Sequence, residues 1–194
     1  MGNMFEAIHG YYLNLVPHLS VTDLEALDAC LSVRQVPKGE FIVKAGQVCQ
    51  YVSFLNKGLA RLYYTFEGKD ISIGFVVPGQ YTSEYESFLT RRPAAQSIDA
   101  LTDLEVIDLG YNDMQRLYKT FPVFQEFGRK IAEMLFIYLN QRNTALLALT
   151  PEDRYRHMIA DQPALLQQVP QYMLASFMGV TPEHLSRIRK KISR

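Results

Sequence analysis

The residues best suited to bind a nucleic acid lie near the C-terminus, after a Thr-Pro pair. Thr181 and Pro182 are typical of a helix start, because a threonine oxygen caps the first turn and proline suits the first helical position. The polar and basic side chains that follow can donate to phosphate oxygens or to base edges. The candidate DNA-binding residues are Thr181, Glu183, His184, Ser186, Arg187, Arg189, Lys190 and Lys191.

A helix-turn-helix is predicted to position these side chains. Ala175 is small where two helices would approach, and Gly179 stands where the turn favours a positive φ. The second helix of such a motif enters the major groove of DNA. An ordinary helical hairpin with a solvated basic helix is the alternative. The shared apolar positions are Leu174, Met178, Val180, Leu185 and Ile188.

Charge is unevenly distributed, although the chain of 194 residues carries 20 basic and 20 acidic groups. Residues 1–149 hold 13 basic and 16 acidic groups, whereas residues 150–194 hold 7 and 4. Five of the eight residues from Arg187 to Arg194 are basic and none is acidic. A basic end on a slightly acidic body indicates a polyanion-binding surface.

A β-roll is predicted between Val33 and Leu109, where glycines separate short runs rich in β-branched and aromatic residues. Short strands at even spacing indicate an antiparallel barrel or jelly roll of about eight strands. The runs are Phe41–Val43, Tyr51–Leu55, Leu59–Phe66, Ile71–Val77, Ser97–Ala100 and Glu105–Leu109.

Short helices are expected on either side of the roll. Ser20-Val-Thr-Asp23 predicts a capping box at the start of a helix over roughly 21–31. Asn112 would cap a helix over about 113–119, and Pro122 would end that helix and open the next.

A heptad repeat follows from Val123 to Leu149 and predicts a helix of about 40 Å. The repeat favours a parallel homodimer, or a helix packed on its own roll. Both are compatible if one edge of the helix packs on the roll and the other on a second copy of the chain. Leu135, Leu139, Leu146 and Leu149 supply a second apolar edge for the roll. The seam continues through Gln141, Ala145 and Ala148, and its expected dimer-interface residues are Phe124, Phe127, Ile131, Met134 and Tyr138.

A second helix start, Thr150-Pro-Glu-Asp153, places a domain boundary at 149/150. The expected fold class is α+β, with three parts in order. They are a β-roll domain in residues 1–121, a dimerisation helix in 122–149 and a helix-turn-helix domain in 150–194.

Several function classes are disfavoured. Cys30 and Cys49 are too few for a disulfide framework or a four-cysteine metal site, and Cys49 alone gives weak support for a haem sensor. The roll holds no histidine, which argues against a metal-dependent jelly-roll enzyme, and Glu84 with Glu86 is a weak acid–base pair. No basic residue precedes Arg34, so the N-terminus lacks the basic segment of a secretory signal, and no stretch suits a bilayer. A reduced cytoplasmic protein without a membrane partner or enzymatic activity is therefore expected.

The order of roll, long helix and helix-turn-helix resembles the Crp–Fnr family of bacterial transcription regulators, over roughly residues 20–192. Val36-Pro-Lys-Gly-Glu-Phe-Ile-Val-Lys-Ala-Gly46, Pro78-Gly-Gln-Tyr-Thr-Ser-Glu84 and the segment from Ala175 to Lys191 carry the resemblance. It implies a homodimeric regulator that binds double-stranded DNA, with RNA polymerase as a further partner. The roll would be of the cyclic-nucleotide-binding type. It would hold an effector between the Pro78–Glu84 segment and the long helix, and the sequence does not identify that effector.

The resemblance transfers unevenly to that ligand pocket. Glu84 matches the acid that holds the ribose, but the phosphate-binding arginine falls at Ala94, so a degenerate site is expected and no cofactor is certain. Arg91 and Arg92 are expected to be exposed turn residues rather than substitutes for the phosphate-binding arginine. Arg61 is a candidate basic partner for the Glu84 carboxylate. The pocket positions implied by the family are Ser83, Glu84, Ala94, Ala95, Leu139 and Asn140.

In the recognition helix, Glu183 and Arg187 match base-reading positions of the family, whereas Pro182 replaces an arginine. With the sequence ending at Arg194, the expected fold lacks a C-terminal wing hairpin, which needs about ten further residues. A cyclic-nucleotide- or metabolite-binding sensor with a degenerate DNA reader is the alternative function.

Overall fold

The structure, a computed structural model, describes residues 4–192. The strands in this part of the chain are β1 Leu31–Val36, β2 Phe41–Val43, β3 Tyr51–Lys57, β4 Ala60–Phe66, β5 Lys69–Val76, β6 Tyr81–Thr82, β7 Ser97–Ala100 and β8 Leu104–Gly110. They form two four-stranded sheets, in the orders β1-β8-β3-β6 and β2-β7-β4-β5. The pairs β1/β8, β3/β8, β3/β6 and β2/β7 are antiparallel, which confirms the predicted jelly roll.

Helices precede and follow the roll. One short helix interrupts the strands, and one long helix is followed by four shorter ones. The helices are α1 Glu6–Leu15, α2 Val21–Asp28, α3 Tyr85–Thr90, α4 Tyr111–Thr120, α5 Pro122–Ala148, α6 Pro151–Asp161, α7 Leu165–Gln168, α8 Gln171–Phe177 and α9 Pro182–Ile192.

The described residues form two compact units. One contains the chain up to Arg61 together with Val76–Met134, and the other contains Leu62–Phe75 and the chain from Leu135 onward. The second unit therefore combines parts of β4 and β5 with the end of α5 and helices α6 to α9. The expected domain boundary at 149/150 falls between α5 and α6, and it stays a prediction.

Two of the expected helix boundaries are wrong. The capping box is present, with Ser20 Oγ accepting from Asp23 N at 3.2 Å, but α2 ends at Asp28 and Leu31 already begins β1. Asn112 is not the cap of α4, because the helix begins one residue earlier at Tyr111. Gly110 precedes it in extended backbone, so β8 passes directly into α4 without a side-chain cap.

The start of α5 packs inside the chain's own roll unit. Phe124 and Phe127, expected at a dimer interface, are buried, and the Phe127 ring stacks on Tyr12 of α1 at 3.8 Å between ring centroids. Lys130 Nζ also donates to Leu15 O at 2.7 Å, at the end of α1. This corrects the assignment of Phe124 and Phe127: α1, which was not predicted, covers the first part of the seam.

Gly58, between β3 and β4, is expected to be intolerant of a side chain. Its φ is +98°, and an added Cβ would lie 2.4 Å from Asp103 O. Gly58→Ala should lower the free energy of unfolding by about 1–3 kcal/mol from backbone strain, with a further loss from this close approach. Gly39→Ala is the control, because Gly39 has a φ of +86° but nothing within 4 Å. Urea unfolding of both variants measures the difference, and equal losses would contradict the steric argument.

Candidate nucleic-acid interface and ligand pocket

Helices α8 and α9 form the predicted helix-turn-helix around a shared apolar core. Leu174, Ala175, Met178, Leu185 and Ile188 are buried, and Val180 is half-buried. The turn is closed by Val180 N, which donates to Ala175 O at 3.0 Å, and Gly179 adopts a φ of +68°. The glycine is needed here because a side chain would be strained at this φ.

The N-terminus of α9 is built as the sequence indicates. Thr181 Oγ1 accepts from His184 N at 3.2 Å, and Pro182 is the first helical residue. The pKa of Glu183 is lowered, first by a hydrogen bond to its own backbone and then by the Thr181 hydroxyl, so the carboxylate is favoured. Glu183 and Arg187 are exposed, and Ser186 and His184 are half-buried.

The basic residues at the end of α9 differ in their surroundings. Lys190 is exposed, and Arg189 is half-buried. Lys191 Nζ lies 2.7 Å from one Glu152 carboxylate oxygen and 2.9 Å from the other, so this lysine is engaged within the domain. Arg194, part of the predicted basic cluster, lies outside the described residues.

Two residues of α8 that were not predicted from the sequence lie beside the candidate DNA-binding residues of α9. Gln171 and Tyr172 line a shallow depression, and Gln171 Nε2 donates to Pro182 O at 3.3 Å. Their position directly after Pro170, at the start of a helix, was the available signal. The other residues that line the depression are Pro182, Glu183, Ser186 and Arg187.

The acidic residue of the predicted ligand pocket, Glu84, hydrogen-bonds to the backbone of the helix that follows it. Glu84 is buried and caps α3, with one carboxylate oxygen accepting from Ser87 N at 2.6 Å. Ser83 Oγ donates to Tyr51 O at 3.1 Å. Arg61, considered as a partner for Glu84, instead places Nη2 2.8 Å from Asp99 Oδ2.

The remaining pocket positions present few polar groups. Ala94 is buried and makes two backbone hydrogen bonds, from its N to Gln47 O and from Gly46 N to its O, each of 2.8 Å. Ala95 is exposed. Leu139 and Asn140 belong to the second unit, and both are exposed.

Arg91 has a structural role in the first unit. It adopts a φ of +59° at the end of α3, and its Nη1 donates to Cys49 O at 2.7 Å. Its guanidinium carbon also lies 4.8 Å from the centroid of the Tyr111 ring. Because these contacts fix its head group between Cys49, which precedes β3, and the start of α4, Arg91 is not an exposed turn residue.

The second part of α5 carries a wide exposed apolar surface. Met134 and Tyr138, both on the heptad seam, are each 48% exposed. Ile131 is half-buried. Further exposed apolar residues are Phe136, Ile137, Leu139, Leu146 and Leu147.

Neither a metal cluster nor a membrane span is found within residues 4–192. No group of three or more His, Cys, Asp or Glu side chains in this range could hold a metal ion. No helix in the same range is long and apolar enough to cross a membrane.

Comparison with known proteins identifies the roll and the fold. Residues 33–121 match the cyclic nucleotide-binding domain family. The sequence has no match among curated proteins.

Three solved structures illustrate the fold. The catabolite activator protein of Thermus thermophilus is 21% identical, with coverage of 92% of this chain and 86% of that chain and a TM-score of 0.58. The c-di-GMP responsive global regulator CLP of Xanthomonas campestris is 17% identical, with coverage of 90% and 92% and a TM-score of 0.67. A Crp/Fnr family transcriptional regulator from Eubacterium rectale is 14% identical, with coverage of 94% and 87% and a TM-score of 0.71.

Proposed function

We propose that the protein is a cytoplasmic, homodimeric, DNA-binding transcription regulator. Residues 33–121 match the cyclic nucleotide-binding domain family, and the fold is that of Crp/Fnr regulators. The observation that carries the proposal is the capped helix α9, which presents Glu183 and Arg187 to solvent on a helix-turn-helix. The effector pocket is proposed to lack a working site for a cyclic phosphate, and no enzymatic reaction is assigned. RNA polymerase is a further partner to be tested.

The chemistry of α9 separates two kinds of DNA contact. Arg187 is the sixth of the eleven residues of α9, one turn after Glu183, and both side chains are exposed, as base-contacting residues of a recognition helix must be. An arginine there can donate two hydrogen bonds to guanine, whereas lysines further along the helix act as point charges on phosphates. Arg187 is therefore proposed to read sequence, and Arg189, Lys190 and Lys191 to contact the backbone of the DNA. Because Lys191 also pairs with Glu152, Lys190 is the better probe of phosphate contact.

A homodimer through α5 is supported by the exposed seam residues Met134 and Tyr138. Exposed apolar surface of this extent on one helix is typical of a protein–protein interface. Two copies would also present two recognition helices, which matches the two-fold symmetry of many operators.

Arg187→Ala and Lys190→Ala should weaken DNA binding in different ways. Loss of an arginine–guanine pair should remove about 1–3 kcal/mol of discrimination at one base pair, so Arg187→Ala should relax sequence preference. Lys190→Ala should weaken all sequences alike and reduce the salt slope by about one unit. Binding selection from random sequences, followed by affinity measurements over a salt series, gives both quantities.

The outcomes of this experiment also test the alternative function. If both variants lose affinity without a change in preference, the division of roles is wrong. If the unmodified protein shifts neither selected sequences nor genomic fragments in a low-salt gel, the DNA-binding function itself fails. A sensor domain with a degenerate DNA reader would then be favoured.

A further inference from the structure

The first turn of α6 carries an arginine that bonds to two other segments of the same unit. Arg154 Nη1 donates to Leu149 O at 2.7 Å, directly after α5. Arg154 Nη2 donates to Met178 O at 2.9 Å, at the end of α8 and the start of the turn before α9. One side chain thus joins the end of the long helix to the turn of the helix-turn-helix.

Both acceptors are carbonyls at the end of a helix. The last carbonyls of a helix have no partner within the helix, and they carry the negative end of its dipole. A guanidinium is well suited to such a position, because it is always charged and its donors form a rigid planar fork. Arg154 therefore fixes both the distance and the angle between the two chain segments, which a flexible lysine would not do.

A second contact from the same turn holds the far end of α9. Glu152, two residues before Arg154, pairs with Lys191 at 2.7 Å. The recognition helix is thus tied to the start of α6 at the turn before it and at its last turn. The start of α6 in turn follows α5 by only two residues.

We propose that Arg154 is a positioning residue for DNA recognition, which sets the orientation of α9 relative to the end of α5. Its Nε is buried and has no hydrogen-bond partner among the described residues, so its head group faces the protein rather than a phosphate. The proposal rests on the proposed DNA-binding function, because orientation matters only if α9 must fit a groove. In a dimer, the end of α5 would determine the position of α9 in each copy.

The test compares Arg154→Met with Arg156→Met in the full-length protein. Methionine keeps much of the length of arginine and removes its donors. Arg156 lies two residues further along α6 and is exposed, so it controls for the loss of one charge from this helix. We expect Arg154→Met to bind its selected DNA about 10-fold more weakly than Arg156→Met. The salt slopes of the two variants should be equal, because no phosphate contact is lost with Arg154.

Arg154→Lys is a second, more conservative variant, which keeps the proposal testable if Arg154→Met does not fold. It keeps the charge but can reach only one of the two carbonyls well, so its affinity should fall between the unmodified protein and Arg154→Met. Unmodified affinity in Arg154→Lys, or equal affinity in Arg154→Met and Arg156→Met, would overturn the proposal. A salt slope reduced by about one unit in Arg154→Met alone would also overturn it, because that result marks a direct phosphate contact.

A measurement without DNA separates this proposal from the proposed function. Spin labels at Asn143→Cys in α5 and Lys190→Cys in α9, in a Cys30→Ser and Cys49→Ser background, report the distance between the two helices. Mixing the labelled protein with an excess of unlabelled protein removes the contribution of distances between labels on different copies. Arg154→Met should broaden or shift this distance, whereas Arg156→Met should not. An unchanged distance overturns the positioning role even if DNA binds. A changed distance without DNA binding means that Arg154 does orient α9 but that the proposed DNA-binding function fails.

Discussion

Tyr138→Asp is expected to leave the protein monomeric at micromolar concentration. The Tyr138 side chain lies on the heptad seam and is 48% exposed, so an aspartate is tolerated in a single chain. In a parallel dimer the two copies of this position would face each other. Each aspartate would then be a charge taken out of water, which costs several kcal/mol, and the two aspartates would repel each other. Arg142, which contacts Tyr138 from one turn further along the same helix, would offset only part of this cost. Sedimentation equilibrium of the purified protein measures the change in mass.

Asn143→Asp is the matched control for this prediction. Asn143 is exposed on α5 and lies off the seam, and its substitution adds the same charge to the same helix. The control should remain a dimer. A dimeric Tyr138→Asp, or an unmodified protein that is already monomeric at micromolar concentration, would show that the seam does not hold two copies together.

The strands of the roll were largely predictable, because each is a short run closed by a turn residue. Phe41–Val43 and Ser97–Ala100 have the predicted bounds. The strand β1 was missed because Leu31 continues the apolar spacing of Leu24 and Leu27, so the pattern did not mark where α2 ends. The strand β6 was missed because its two residues are too few to show any alternation.

The role of the seam could not be read from the sequence alone. A heptad pattern shows which side of α5 is apolar, but not whether a partner or the chain itself covers it. The missing information is α1, whose Ile8 and Tyr12 are buried at a helical spacing that was available in the sequence. Because Tyr12 stacks on Phe127, the beginning of the seam belongs to the roll unit and only the later part is exposed.

The two candidate sites differ in how well the sequence predicts them. The candidate DNA-binding residues belong to one local motif of about 20 residues, so their spacing is enough to place them at the start of α9 and along it. The ligand pocket depends on side chains far apart in sequence and on what each of them bonds to. The Arg61–Asp99 and Arg91–Cys49 contacts join such distant positions, which no local pattern reveals.

Cyclic AMP is expected to bind the unmodified protein more weakly than micromolar or not at all. A cyclic phosphate brings a negative charge into a pocket largely closed to water, and an arginine would normally compensate it with paired N–H donors. The family resemblance assigns that arginine to Ala94, whose described polar contacts are two backbone hydrogen bonds. Loss of one partner of a buried charge pair typically costs ~2–5 kcal/mol, or roughly 30- to 5000-fold in affinity.

The neighbouring charged groups are not expected to replace this arginine. The Arg91 guanidinium donates to Cys49 O and lies over the Tyr111 ring, so its use for a phosphate would break contacts that join the end of α3 to Cys49 and to α4. Arg92 is exposed, and a solvated side chain gives weak compensation for a buried charge. Glu84 already accepts from Ser87 N, and its own charge would repel a phosphate.

Calorimetric titration with cyclic AMP tests the expectation, with Ala94→Arg and Ala94→Leu as paired variants. Ala94→Arg should gain cyclic AMP affinity because it restores the cation, whereas Ala94→Leu adds bulk at the same buried position without charge. A gain in both variants would mean that the shape of the pocket, not its charge, limits binding. Micromolar or tighter binding by the unmodified protein would contradict the prediction directly. In that case backbone N–H groups near Ser83 would have to compensate the phosphate, since Ala94 offers no side-chain donor.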